Sequence, residues 1–216
     1  MAQHPVTKMI RKQTDRTNEM EHSSPLFLTS SFCFDNAEEM RAAFADESED
    51  NIYSRFSNPS VQEFTDRVVI LEGAESGYAT ASGMSAIFAS FMALLKTGDH
   101  LISCKAVFGS THTIITKFLS RFGIEYTYVD ADKPGEWDKA VKPNTKMIYL
   151  ETPTNPGLDI IDLAFASKFA KKHNILLNVD NCSQHRYLNG RLISAPISLY
   201  ILLPSGWMDR EECWVV

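Results

Sequence analysis

The sequence predicts an α/β fold: a mostly parallel, doubly wound sheet with helices on both faces. From Ser60 to Asp180, short β-branched and aromatic runs alternate with longer segments of helical period. Gly73, Gly98 and Gly123 stand just past three of the helical segments, where a chain that must turn back favours glycine. Strands separated by helices of this length pair in parallel, and such sheets bind ligands at the carboxyl ends of their strands.

The elements follow in order. The first sixty residues are polar and irregular, with a strand-like apolar run and a helix from about Asn36 to Phe44. "DNIYSRFSNPS" is a loop closed by Asn58-Pro59, a strong turn signal. An arm of this length without a regular core is expected to pack on something else, such as another subunit. "VQEFTDRVVILEG" spaces Val61, Phe64, Val68 and Leu71 as a helix does. "GYATASGM" reads as a short strand and a tight turn, and "SAIFASFMALLKTG" as a buried helix with Gly98 as its stop. "HLISC" is a strand, "GSTHTIITKFLSRFG" a helix, and "IEYTYVD" and "MIYLE" are strands. "LDIIDLAFASKFAKKHN" aligns Ile161, Phe165 and Phe169 on one face, with acids first and bases last as the helix dipole favours. "ILLNVD" is the last clear strand. The remainder, "RLISAPISLYILLPSGWMDREECWVV", shows neither a helical nor a strand period.

Composition narrows the function. An apolar fraction of 44% and a charged fraction of 22% are those of a globular protein. A net charge of −6 argues against a nucleic-acid surface. The start has no apolar run of the signal-peptide kind and no segment is long enough to span a bilayer, so the expected compartment is the cytoplasm. Cys33, Cys104, Cys182 and Cys213 have no metal-ligand spacing, so no metal site is expected. There is no GxxxxGK[ST] loop and no GxGxxG between a strand and a helix, which disfavours an NTPase or a dinucleotide enzyme.

Several residues stand where ligands bind in such folds. Ser82-Gly83-Met84 lies between a strand and a buried helix, where free N–H groups and the helix dipole favour a phosphate, although a plain N-cap reads the same way. Asp180 ends an apolar strand, and a carboxylate there needs a cation or a donor. Asn155 sits in "ETPTNP" between two prolines, a rigidly aimed amide. Tyr53 and Arg55 offer a hydroxyl and a planar fork suited to phosphate. Each alone is more often an ordinary cap, metal ligand or surface group.

Together, "YSRFSNP", "SGMSA", "FGSTH", "ETPTNP" and "VDN", in this order and spacing, resemble the Cys/Met-metabolism (trans-sulfuration) family of pyridoxal-phosphate enzymes. The resemblance covers roughly Thr14 to Cys182. It implies pyridoxal 5'-phosphate as cofactor and the large domain of the aspartate-aminotransferase-like fold type I, here incomplete. It divides the chain into an N-terminal arm (1–60), an incomplete cofactor-binding domain (61–182) and a tail (183–216). By resemblance, Tyr53 and Arg55 hold the cofactor phosphate of a neighbouring subunit, and Ser82, Gly83 and Met84 that of their own. Phe108 covers the pyridine ring, Asn155 bonds its phenolic oxygen and Asp180 pairs with its nitrogen. Many members carry Tyr where this chain has Phe108, which leaves stacking but removes a hydroxyl. The parent enzyme is implied to be a homotetramer acting on an amino-acid substrate, a homoserine ester, with neither nucleic acid nor membrane as partner.

The family's Schiff-base lysine is absent: no lysine follows Lys172. The tail suggests why. Read one base out of frame, suitable codons from Leu192 onward give "NFGADLVVHSATKWMDGQGRVLGG", which contains the family's lysine segment. Trp207-Met208 forces Asp in that frame, Met208-Asp209 forces Gly, Cys213-Trp214 forces Leu and Trp214-Val215 forces Gly, all where the segment requires them. The expectation is a frameshift at about Cys182, an out-of-frame tail from Ser183, and a chain that is inactive as written. The hidden "DGQGRVLGG" most resembles homoserine-ester sulfhydrylases, which replace the γ-ester of O-succinyl- or O-acetylhomoserine with sulfide. Cystathionine γ-synthase or methionine γ-lyase remain open as parents, and so does a non-catalytic fragment that binds full-length subunits.

Overall fold

The computed structural model describes residues 4–72, 74, 76–182, 197–202 and 213–215. The chain divides into two compact units, residues 1–77 and 78–216.

Among the described residues, the first unit contains three helices: α1 (Pro5–Arg11), α2 (Ala37–Phe44) and α3 (Pro59–Glu72). Helix α1 is a correction to the expectation of an irregular start; His4 caps it and Pro5 opens it, with a ring already set to helical φ. Asn36 caps α2 by accepting from the Glu39 N–H at 2.9 Å. Helix α3 packs on α1 and groups with the arm in the first compact unit. Polar links make that grouping. Glu63 accepts from the Thr14 N–H at 2.8 Å and pairs with Arg67, whose Nε donates to the Lys12 carbonyl at 3.0 Å. Ser60 and Asn58 tie to the backbone of Phe27. Gly73 lies outside the described residues.

The second unit is a seven-stranded sheet in the order β1-β7-β6-β5-β4-β2-β3. Its strands are β1 (Tyr78–Thr80), β2 (His100–Cys104), β3 (Glu125–Val129), β4 (Thr145–Glu151), β5 (Leu176–Asp180), β6 (Ile197–Leu202) and β7 (Cys213–Val215). The pairs from β3 to β6 are parallel, while β7 runs antiparallel to both β6 and β1. Alternation along the strands builds two apolar layers. Ile102, Ile148, Leu150, Leu177 and Val179 face Trp137 of α6 (Pro134–Ala140) and Phe169 of α7 (Leu163–His173). Leu101, Met147 and Tyr149 face Ile87 and Phe91 of α4 (Gly83–Leu94) and the helix that follows β2. That helix begins as α5 (Gly109–Thr113), widens to a π-helical turn over Ile114–Phe118 and tightens to a 3₁₀ turn over Leu119–Phe122. It ends at Gly123, whose φ of 71° and the closeness of Thr97, 2.8 Å from where a Cβ would stand, both require glycine. None of the helices among the described residues is long and apolar enough to cross a membrane.

Several expectations need correction. Helix α4 stops at Leu94, before Gly98, because the Asp99 carboxylate captures the Lys96 N–H at 2.9 Å and turns the chain early. Ile161 precedes α7, which starts after its cap Asp162; Ile161 is buried instead by a bond from its N–H to Thr152 Oγ1 at 3.0 Å. Helix α6 gave no periodic signal, being only seven residues opened by Pro134. The tail, which shows no strand period, nevertheless contributes β6 and β7 to the sheet. "ISLYIL" lies between β5 and β7, and a strand inside a sheet favours a largely apolar run over alternation.

Candidate active site

The strand order reverses between β2 and β4: the chain leaves β2 for β3 on one side, and β4 with its successors lies on the other. In open α/β sheets a crevice forms at that point, outside the carboxyl ends of the strands. Here its walls are the turn after β2, which carries Phe108, and the loop after β4, which carries Asn155.

Two carboxylates close adjacent strands at the crevice. Glu151 and Asp180 are register partners on β4 and β5, and each is 1% exposed. Both share the strand face of Tyr149, toward α4 and α5. Asp180 Oδ2 accepts from the Tyr149 hydroxyl at 3.1 Å and Oδ1 from the Cys182 N–H at 3.1 Å. Burial raises its pKa above the usual carboxylate range, against the Cys182 hydrogen bond that lowers it. Burial pushes Glu151 up to about 7, although hydrogen bonds from the Phe108 and Asn155 N–H groups hold it down. The Tyr149 hydroxyl, buried beneath Asp180 and edge-on to Phe91 with centroids 5.0 Å apart, stays neutral because burial raises its pKa well above the ordinary value.

The surrounding loops are fixed by their own polar links. Asn181 donates from its amide to the Thr152 carbonyl, and the Thr152 N–H donates to the Asp180 carbonyl at 2.9 Å. Thr154 Oγ1 accepts from the Asp159 N–H at 3.0 Å, so the loop that bears Asn155 closes on itself. Phe108 is 41% exposed, leaving a ring face open for stacking. Ser82 caps α4 in extended conformation, its Oγ accepting from the Ser85 N–H at 3.2 Å. Gly83 and Met84 open that helix, where the first N–H groups have no intrahelical acceptor. Thr80 of β1 and Leu202 of β6 both face Cys213 of β7, so Ser82 follows its strand on the same sheet edge as Asp180.

Phe108, Asn155 and Asp180 thus gather at one crevice, and Ser82, Gly83 and Met84 lie on the same edge. Tyr53 and Arg55 belong to the first unit, where the Arg55 guanidinium stacks 4.7 Å over the Tyr53 ring. They line a mainly apolar cavity of about 680 Å³ with Phe32, Phe34 and Phe44. Sequence reasoning missed Glu151 and Tyr149. Glu151 carries the same signal as Asp180, an acid closing an apolar strand; Tyr149 carries none. Among the described residues no group of His, Cys, Asp and Glu could hold a metal ion.

The donor set fits pyridoxal phosphate. A buried carboxylate with raised pKa needs a proton or a cation, which a pyridinium N–H supplies. The open Phe108 ring offers a stacking face and the α4 N-terminus suits a phosphate. No lysine follows Lys172, and Lys105, just after β2, points to Glu136 of α6 at 3.6 Å.

A profile of the Cys/Met metabolism PLP-dependent enzyme family matches residues 6–195. The chain is 44% identical over 176 residues to O-succinylhomoserine sulfhydrylase of Pseudomonas aeruginosa, covering 82% of this chain and 44% of that protein. It is 38% identical over 160 residues to L-methionine gamma-lyase of Porphyromonas gingivalis, covering 74% and 40%, and 46% identical over 149 residues to cystathionine gamma-lyase of Bacillus subtilis, covering 68% and 39%. Among solved structures, an O-acetylhomoserine (thiol)-lyase of Campylobacter jejuni bearing a pyridoxyl-lysine phosphate superposes with a TM-score of 0.87 at 25% identity, over 99% of this chain and 54% of that one. MetB of Corynebacterium glutamicum gives a TM-score of 0.87 at 30% identity, over 99% and 55%. The chain therefore spans less than half the length of these curated relatives, and it belongs to the Cys/Met metabolism family of PLP-dependent enzymes.

Proposed function

We propose that the protein to which this chain belongs replaces the γ-acyloxy group of O-succinyl- or O-acetylhomoserine with sulfide, giving homocysteine. The observation that supports the substrate class is the 44% identity over 176 residues to an O-succinylhomoserine sulfhydrylase. Pyridoxal phosphate, when bound, supplies an electron sink that acidifies the α-hydrogen of an amino acid. Asp180 holds a proton on the ring nitrogen, and Tyr149 orients that carboxylate from below. Phe108 covers a ring face, Asn155 donates to the phenolic oxygen, and Ser82, Gly83 and Met84 bind the phosphate. Tyr53 and Arg55 bind the phosphate in a neighbouring subunit of a homotetramer.

The 216-residue polypeptide as written is inactive in this reading, because the family's cofactor-bearing lysine is not encoded in its frame. Sequencing the gene across the Cys182 codon tests the frameshift directly; one additional T restores the lysine. Restored protein is then assayed with each ester and sulfide. Homocysteine formation supports the proposal, whereas keto-acid release from methionine without ester turnover favours a γ-lyase, the reading that the 38% identity to methionine gamma-lyase supports.

A further inference from the structure

Glu151 is 1% exposed and spans the crevice with its carboxylate. Oε2 accepts from the Phe108 N–H at 2.7 Å, on the wall after β2, and Oε1 accepts from the Asn155 N–H at 2.8 Å, on the wall after β4. The two donors are 47 positions apart by number and belong to different loops, so the link is tertiary. Burying a carboxylate is costly, and a carboxylate offers what a neutral side chain of this size does not: two oxygens that both accept and neither donates.

We infer that Glu151 is a positioning residue, whose carboxylate ties the turn bearing the Phe108 ring to the loop bearing the Asn155 amide and so sets the width of the crevice that grips the planar cofactor. The inference rests on the reading of this edge as a pyridoxal phosphate site. The Asn155 loop is closed by Thr154 and Asp159 and is anchored to β4, so it is the stationary wall. Phe108 precedes a helix of five α-helical residues, and its N–H is drawn to Glu151. Without that bond the stacking ring is held only by its own turn.

The link also responds to what binds Asp180. The groups facing Glu151 from packed elements are the Asp180 carboxylate, its register partner on β5, and the neutral Tyr149 hydroxyl on its own strand. Asp180 is the charged one, and its repulsion favours a proton on Glu151. A protonated carboxyl keeps one good acceptor and loses the other. A cation held by Asp180 relieves the repulsion, so cofactor binding and the closed link reinforce one another.

The test follows amide hydrogen exchange at Phe108 and Asn155 in the 216-residue chain. The Thr152 N–H serves as reference, since its acceptor is the uncharged Asp180 carbonyl. Glu151→Gln, which keeps one acceptor oxygen and replaces the other with a donor, is expected to raise exchange at Phe108 or Asn155 about tenfold relative to Thr152 and to weaken pyridoxal phosphate binding about tenfold, the scale of one charge-assisted hydrogen bond. Unchanged cofactor affinity overturns the inference, whatever the exchange. If the variant does not fold, the wild-type chain carries the test: acidification from pH 8 to 5.5 should raise exchange at Phe108 or Asn155 relative to Thr152, and constant ratios overturn the link. Asp180→Asn separates the two readings. Weakened binding in Asp180→Asn beside a silent Glu151→Gln removes only the present inference, whereas a silent Asp180→Asn removes the cofactor reading itself.

Discussion

In residues 1–77 polar side chains reaching distant backbone groups supply many of the long-range links; the sheet of the second unit carries apolar layers on its two faces. The first unit leaves Leu28 91% exposed and Phe56 66% exposed, while the second buries Trp137, Tyr149 and Phe91 completely. Directional links such as Glu63 to Thr14 and Asn58 to Phe27 fix geometry but each adds only about 1 kcal/mol net. Apolar burial scales with area and accumulates across a sheet. The difference predicts that the sheet unit is the more stable of the two, and the candidate site's carboxylates stand on it.

The most disruptive test of that contrast is Trp137→Ala. The indole packs edge-on against Phe165 and Phe169, with centroids 5.3 and 5.5 Å away, and its Nε1–H donates to the Asp130 carbonyl at 3.0 Å. Its truncation is expected to cost about 3–5 kcal/mol of sheet-unit stability, measured by urea denaturation followed through far-UV circular dichroism. Hydrogen exchange within residues 4–72 should stay unchanged. Equal loss of protection in both regions would break the comparison.

Glu63→Ala probes the other side. It removes the acceptor for the Thr14 N–H and the partner of Arg67, with the Glu63 side chain 10% exposed. A loss of about 1–3 kcal/mol is expected, confined to amides of the first unit in exchange experiments. Hydrogen bonds from Ser24 and Thr14 and the charge of Arg67 hold the Glu63 pKa low, although burial opposes them. Its contribution is therefore present above the ordinary carboxylate range and lost as the solution is acidified through the lowered value.

Glu151 has the opposite sign. Its folded pKa is raised to about 7 by burial, so the folded state holds the proton more tightly than the unfolded chain does. Stability from this group is fully present below the ordinary carboxylate value and declines as pH rises toward about 7. Buried His100, whose pKa is lowered by burial and then by Lys142, contributes in the contrary direction over part of that range. The difference between wild type and Glu151→Gln isolates the carboxylate. It should fall as pH rises from 5 to 8, by about 2–4 °C in the unfolding midpoint for each kcal/mol. A difference independent of pH would show that Glu151 does not titrate there.

Much of this was legible in the residues. Asp180 was readable because an acid closing an apolar strand needs a partner, β3 and β4 because β-branched and aromatic runs leave few alternatives, and β2 and β5 because short apolar runs lie between helical segments. Glu151 gave the same signal but went without a role, since its partners are backbone groups that no side-chain pattern reveals. Tyr149 was invisible for a related reason: one aromatic in an apolar strand looks like core until register sets it under Asp180. Helices α1 and α6 were hidden by their length, seven residues each, too short for a period to repeat. The grouping of α3 with the arm depended on Glu63, Asn58 and Ser60, polar residues whose partners lie far away in sequence.

The smallest expected effect is the sharpest control. Arg41 pairs with Glu38 and Glu47, both at 2.8 Å, and the guanidinium is held well above its already high pKa by those carboxylates. On distance alone this is the densest ion-pair group of the first unit. Its side chains are 52%, 74% and 55% exposed, however, so water screens the attraction and ordering three long side chains offsets what remains. Arg41→Ala should leave the unfolding midpoint unchanged at ordinary ionic strength, while Glu63→Ala in the same unit lowers it. The contrast would show that burial, rather than the number of charges, decides which polar links hold residues 1–77 together. If Arg41→Ala were as damaging as Glu63→Ala, exposed charge pairs would be structural there, and the first unit should also loosen as salt is raised.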